Sequence, residues 1–374
     1  MNTLLNRRQW LKAAGATLAT AALAPRLALR ADTRPAAPAP SVAPGLVQLS
    51  WNENPFGPAP SAQRAMIAAV GRSCRYPDSE EEELLKLIAA REGCPTSQIV
   101  LGNGSGEILD AAGFHFGYEK GEIIAANPSY MQLVVAAEKA GGAAVRIPLN
   151  ARLEHDLPAM AAAVGPRTSL VYIVNPNNPT GTVCDATELR EFVRTVSARV
   201  PVFIDEAYLE CTDDFAGRTC AGLVTSGHNV VVARTFSKIF GMAGCRLGYA
   251  VLPEKLAASL RARMTGSLSL TTIMAGIASL GDTAYVTATR AKLKAGREAL
   301  MAQARSLGRE CTAAQGNFAF IKTGMPVKDF VTKMRAEGVV VGRPFPPLLE
   351  WARITVGLPE EMEVCHLALR KVLG

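Results

Sequence analysis

The run TFSKIFGMAGCRLGYA, residues 235–250, sets two hydroxyls, a lysine and, eight residues further on, an arginine in a mostly apolar, glycine-punctuated stretch. A solvated face would carry charges of both signs and few glycines, so these two cations are expected to point into a site. Thr235 and Ser237 can donate to phosphate oxygens, and the fork of Arg246 can hold two of them. Lys238, partly desolvated beside another cation, would have a lowered pKa and serve as an amine nucleophile.

Three further stretches have the same character. In GNGSGEIL, residues 102–109, a turn containing Gly104, Ser105 and Gly106 opens a helix. Its amides and dipole would suit an anion, although a plain turn explains the loop equally well. NPNNPTG, residues 175–181, predicts an irregular backbone with amide side chains turned into a cleft. In DEAY, residues 205–208, Asp205 ends an apolar run, where a buried carboxylate requires a facing cation such as a protonated ring nitrogen.

These stretches follow strands. Apolar runs at 99–102, 122–127, 143–149, 169–176, 202–208, 230–236 and 248–252 alternate with helical patterns such as 131–139 and 186–199. The alternation predicts an α/β fold with a mostly parallel sheet and helices on both faces. Ligands of such sheets sit at the carboxyl ends of the strands. A long helical stretch is expected from about Leu256, then NFAFIK, a helix at 327–337, GVVVGR, WARITVG and a closing helix from Glu360, which reads as a smaller α+β domain. The predicted divisions are an arm of the small domain at 46–70, a large domain at 71–260 and the C-terminal small domain at 261–374.

With 374 residues and 49% hydrophobic content the chain is expected to bury substantial cores. The formal charge of +7 suggests nucleic acid until it is located: residues 1–34 carry six cations against Asp32, a net +5. The +2 that remains excludes a phosphate-backbone partner. The eight cysteines form no CxxC pair and the four histidines stand apart, so neither a metal site nor a redox motif is predicted. Residues 1–31, with NRRQWLK before a short Ala/Leu/Thr run, resemble a twin-arginine (Tat) export signal, and the Ala/Pro-rich residues 32–45 read as a linker. The leader predicts a periplasmic protein, with cleavage and retention as an anchor both open; read instead as a plain basic N-terminus, it leaves the protein cytoplasmic.

Taken in order, NPNNPTG, DEAY and TFSK…R resemble the fold-type I pyridoxal-phosphate enzymes, the aspartate-aminotransferase superfamily. LSWNENPFGPAP (49–60), RYPD (75–78), LGNGSGEILD (101–110) and ARITVGLPEEM (352–362) are similar to its histidinol-phosphate aminotransferase branch, and the likeness runs from about residue 46 to the C-terminus. The resemblance implies a homodimer with shared sites that moves an amino group between an L-amino acid, aromatic, aliphatic or histidinol-phosphate-like, and a 2-oxo acid. It implies that Lys238 binds pyridoxal 5′-phosphate covalently and moves the proton between Cα and C4′. Asp205 would pair with the pyridinium nitrogen, Asn178 and Tyr208 would bond O3′, and Tyr130 would stack on the ring. Gly104, Ser105, Gly106, Thr235, Ser237 and Arg246 would hold the phosphate, with Tyr76 reaching in from the neighbouring subunit. Arg353 would clamp the substrate carboxylate and Asn54 would lie against the substrate. In VVVGRPFPPLLEWAR, Arg343 is the candidate for a second substrate cation, while Phe345 and Trp351 predict an apolar pocket that favours an aromatic or aliphatic amino acid over a phosphomonoester.

Two other readings share some of these features. A decarboxylase resembling threonine-phosphate decarboxylase, or another non-transaminating pyridoxal-phosphate enzyme, would use every motif, because the bond broken depends on substrate orientation. A non-catalytic binding protein on the same fold would bind ligand without any spectral change. A nicotinamide dehydrogenase is excluded, since Glu107 stands where the third glycine of G-x-G-x-x-G belongs.

Overall fold

The seven apolar runs between residues 99 and 252 form one sheet in the computed structural model, which describes residues 45–374. Residues 1–31, expected to be an export signal, and the expected linker, apart from residue 45, lie outside the described residues. The strands are β2 (Ile99–Gly102), β3 (Glu122–Asn127), β4 (Ala143–Pro148), β5 (Thr168–Val174), β6 (Val202–Asp205), β7 (Val230–Thr235) and β8 (Gly248–Val251), in the order β2-β8-β7-β6-β5-β3-β4. From β7 to β4 every pairing is parallel; β8 alone runs against both its neighbours.

Central strands without polar alternation need cover on both faces. Alternate residues supply it: Ile173, Ile204 and Val232 belong to one core, Tyr172, Phe203 and Val231 to the other. The first core takes Leu189, Phe192, Val193 and Val196 from the helix Ala186–Ser197, and the second takes residues from Ser105–Gly117, Gln132–Lys139 and Glu254–Arg261. Burying both faces leaves the carboxyl ends of β3, β5, β6 and β7 as the places where polar side chains can gather.

The long helical stretch expected from Leu256 is three helices, Glu254–Arg261, Leu270–Gly281 and Thr283–Ser306. Side-chain caps make the breaks, Ser269 accepting from Thr272 N and Asp282 from Tyr285 N. Beyond them the chain forms two short sheets rather than one. Strand β1 (Val47–Leu49) pairs in parallel with β10 (Val339–Val341), and β9 (Phe318–Lys322) pairs antiparallel with β11 (Trp351–Thr355). The first pairing ties the N-terminal arm to the C-terminal segment.

Helices Ser105–Gly117 and Gln132–Lys139 approach at glycine, where a Cβ on Gly113 would overlap Leu133 O and Ala136 Cβ. Backbone cannot yield cheaply, so Gly113→Ala is expected to destabilise the fold by about 1–3 kcal/mol. Urea unfolding measures this, and an unchanged midpoint would contradict the close packing.

Candidate active site

The carboxyl ends of the parallel strands open on a cavity of about 350 Å³ whose lining comes from all four chemistry-bearing stretches. At one end Ser105, Gly106, Thr235, Ser237 and Arg246 converge. Thr235 ends β7, and its hydroxyl donates to Ser237 Oγ at 3.0 Å and accepts from Ser237 N at 3.1 Å, which folds the turn that presents Lys238. Arg246 sits in the left-handed region at φ 61°, held by Ala243 O (2.9 Å) and Asn103 O (3.3 Å). Gly104 has φ 75°, and a Cβ there would occupy the space of the Arg246 guanidinium. With Gly104 as its cap residue and no side-chain cap bond, the helix Ser105–Gly117 aims its first amides at the same place.

At the centre, Asp205 is 2% exposed. Its partners within hydrogen-bonding reach are neutral: Ala207 N donates to Oδ1 at 3.0 Å and the Tyr172 hydroxyl lies 3.5 Å from Oδ2. Burial pushes the carboxyl up to about 6, against the pull of these donors and of Lys238.

Lys238 donates to Asn52 O at 2.9 Å and lies 5.4 Å from the centroid of the Tyr208 ring. Burial first, then the charge of Arg353, lowers its pKa to about 8. The sequence anticipates a depressed lysine; the cation that depresses it belongs to the far end of the cavity and not to Arg246. Asn52, at φ 54°, is the hub here. Its Nδ2 donates to the Tyr208 hydroxyl (3.0 Å), its Oδ1 accepts from Thr355 (3.1 Å), and Asn317 Nδ2 donates to its carbonyl (3.0 Å). Burial raises the Tyr208 hydroxyl to about 12, so it stays protonated at neutral pH.

At the far end, Arg353 on β11 donates to Asn178 Oδ1 at 2.6 Å and to Ser50 O at 2.5 Å, while its buried Nε has no protein partner among the described residues. Arg353 and Arg343 both lie against the Phe345 ring, their Cζ atoms 4.9 and 4.7 Å from its centroid. Burial, helped by the charge of Arg343 and opposed by Tyr208, lowers Arg353 to about 10. Tyr130 lines the side, its hydroxyl donating to Gln132 Oε1 at 2.8 Å.

Several expectations change. Asn54 does not line the cavity: its Nδ2 donates to Ile239 O (2.9 Å) and its Oδ1 accepts from Phe56 N (3.1 Å), and Trp51 and Glu53 face the cavity instead. Trp351 stacks on Phe320 at 5.2 Å, so of the two aromatics only Phe345 lines the site. Asn175 and Asn177 brace their own loop, through Cys184 N (2.9 Å) and Thr180 Oγ1 (3.0 Å), leaving Asn178 to face inward. Tyr76 is 90% exposed, outside this chain's cavity. Sequence reasoning passes over Asn52, Ser129, Gln132 and Asn317. Only Asn52 carried a signal, since it shares the NEN triplet with Asn54.

A phosphorylated pyridine fits this donor set. The hydroxyls, amides and Arg246 suit its phosphate, the buried Asp205 suits a protonated ring nitrogen, and Lys238 supplies an amine that is largely uncharged just above pH 8.

The shifts have a consequence for the cofactor-free fold. A carboxyl raised to about 6 stabilises the fold fully below the unfolded value and loses that contribution as pH climbs through about 6. Near neutrality the ionised Asp205 therefore weakens the cofactor-free fold by about 3 kcal/mol. Lys238, lowered to about 8, is the mirror case, its contribution present above the unfolded value and lost as pH falls through about 8. Asp205→Asn is expected to raise the melting temperature of cofactor-free protein near neutral pH, to flatten its slope between about pH 4 and 6, and to abolish most turnover. A variant less stable than the parent at neutral pH would contradict this assignment.

Residues 44–368 match the profile of aminotransferase class I and II. The chain is 38% identical over 337 residues to histidinol-phosphate aminotransferase 1 of Cupriavidus pinatubonensis, covering 88% of this chain and 89% of that protein. It is 35% identical over 333 residues to the histidinol-phosphate aminotransferase of Moorella thermoacetica, covering 88% and 86%. Among solved structures it resembles a putative histidinol-phosphate aminotransferase from Erwinia carotovora atroseptica (TM-score 0.83, 31% identity, 87% of this chain and 95% of that one). It also resembles the Sinorhizobium meliloti histidinol-phosphate aminotransferase in complex with pyridoxal-5'-phosphate (TM-score 0.81, 27% identity, 87% and 90%). A lysine, a buried aspartate, an anion cradle and a far arginine gathered on this fold agree with that match, and the chain belongs to the class I and II aminotransferase family.

Proposed function

We propose that this pyridoxal-phosphate-dependent aminotransferase takes its amino group from a primary amine with a strongly anionic tail, histidinol phosphate being the concrete candidate, and passes it to a 2-oxo acid. The observation that carries this reading is the pair of guanidiniums, Arg343 and Arg353, on one Phe345 ring at the end of the cavity opposite the phosphate cradle. Two cations at one spot repel each other unless an anion joins them, and a phosphomonoester or a carboxylate offers each a charged acceptor. With Trp351 turned away, Phe345 is the one ring of that pair left beside the two arginines.

The bound cofactor supplies an electron sink for the charge left when the α-proton departs. The chain's residues do the rest. Asp205 keeps the ring nitrogen protonated, and the arginines fix the tail so that the Cα–H bond faces Lys238. The uncharged Lys238 amine takes that proton, and a pKa of about 8 leaves enough free amine for the task at neutral pH. Asn52 O receives the Lys238 amine at 2.9 Å when it is not bound to the cofactor. The proposal includes a homodimer in which Tyr76 of a second copy reaches the phosphate, supported by its exposure in a single chain, and export of the folded enzyme through the twin-arginine leader.

Steady-state kinetics test the substrate. Histidinol phosphate should exceed histidinol and phenylalanine in kcat/KM, and Arg343→Gln should raise its KM by about 10-fold or more while changing kcat little. Equal kcat/KM for the phosphorylated and unphosphorylated amines would overturn the reading, and release of carbon dioxide in place of a new amino acid would favour a decarboxylase.

A further inference from the structure

Beneath the cavity lies a set of buried charges that the chemistry above does not use. Glu206 and Arg234 directly adjoin Asp205 and Thr235 in sequence but are turned away from the cavity, as alternation along a strand requires, and each is 1% exposed. Arg234 Nη2 lies 3.1 Å from Glu206 Oε2. The same guanidinium donates through Nη1 to Glu92 Oε1 (2.7 Å), at the end of helix Asp78–Glu92, and through Nη2 to Thr219 Oγ1 (2.7 Å). Thr219 in turn donates to Glu206 Oε2 (2.9 Å), Cys220 N donates to Oε1 (2.8 Å), and Tyr249 on β8 donates to Glu92 Oε1 (2.7 Å). Burial first, and then the charge of Glu92, raise the Glu206 carboxyl, and Arg234 with the Cys220 and Thr219 donors works against the rise.

A buried ion pair is weak support for stability, since apolar replacements are often as stable, and it is better explained by what it specifies. This one bridges β6 and β7 at the residues where Asp205 and the Thr235–Lys238 turn leave the sheet; beside it Glu206 N donates to Ala233 O at 2.9 Å. We infer that the Arg234–Glu206 pair, bridged by Thr219, is a positioning device that holds Asp205 and the lysine-bearing turn at the separation the cofactor requires. The inference rests on the site being a pyridoxal-phosphate site. Arg234 and Glu206 act through their neighbours and touch neither cofactor nor substrate.

The test is titration of cofactor-free protein with pyridoxal 5′-phosphate, followed by absorbance, alongside the thermal midpoint of the same cofactor-free samples. Thr219→Val, which keeps size and removes the bridging hydroxyl, and Arg234→Met should each weaken cofactor binding by about tenfold or more, with Arg234→Lys recovering part of the loss. Val193→Ala, a core change on helix Ala186–Ser197, serves as a control that lowers the midpoint and leaves the cofactor affinity unchanged. Variants that melt earlier but bind cofactor like the parent overturn the inference and make the network purely structural. If Arg234→Met fails to fold, Thr219→Val decides alone. A parent protein that binds no pyridoxal phosphate overturns the site reading itself, a separate outcome.

Discussion

A carboxylate kept from water at the end of a central strand is the constraint on which the rest of the site depends. Asp205 has neutral donors beside it and a pKa raised by burial, so the fold holds it at a disadvantage that a cationic ring nitrogen would reverse. Lys238 shares the predicament with the opposite sign, an amine made less basic by burial and by a distant guanidinium. One ligand would relieve both groups, a ring that presents a cation to the aspartate and an electrophilic carbon to the lysine. Binding and chemistry thus draw on the same stored electrostatic imbalance.

The sheet makes this possible by its arrangement. Parallel strands bury both faces and gather their carboxyl ends, so the polar residues that cannot enter either core collect along one rim. The N-terminal arm then closes the rim from outside: Asn52 joins Lys238 and Tyr208 of the sheet to Thr355 of β11, and Arg353 on that strand reaches back to Asn178. The substrate end of the cavity is therefore built by elements far apart in the chain, whereas the cofactor end is built by turns of the sheet.

That difference explains what the sequence reveals. The seven strands are legible because runs such as VVVA and VFI are apolar on both faces, and the cofactor end is legible because each motif directly follows its strand. The substrate end depends on tertiary placement. In NEN nothing local tells which asparagine takes the left-handed backbone and faces Tyr208, and the structure gives that place to Asn52 and leaves Asn54 as a brace. Trp351 and Arg353 share a face of β11, yet Phe320 captures the indole while the guanidinium goes on to Asn178. The helix break at Asp282 was hidden because a capping aspartate inside a continuous helical period looks like one more polar surface position.

The central claim is that Lys238 is the residue that carries the cofactor. Borohydride reduction of the purified protein, digestion and mass spectrometry test it directly: the pyridoxyl group should be found on the peptide containing Lys238, and Lys238→Ala should give no adduct. Labelling at a different lysine, or a reduced protein with no pyridoxyl group at all, would contradict the account.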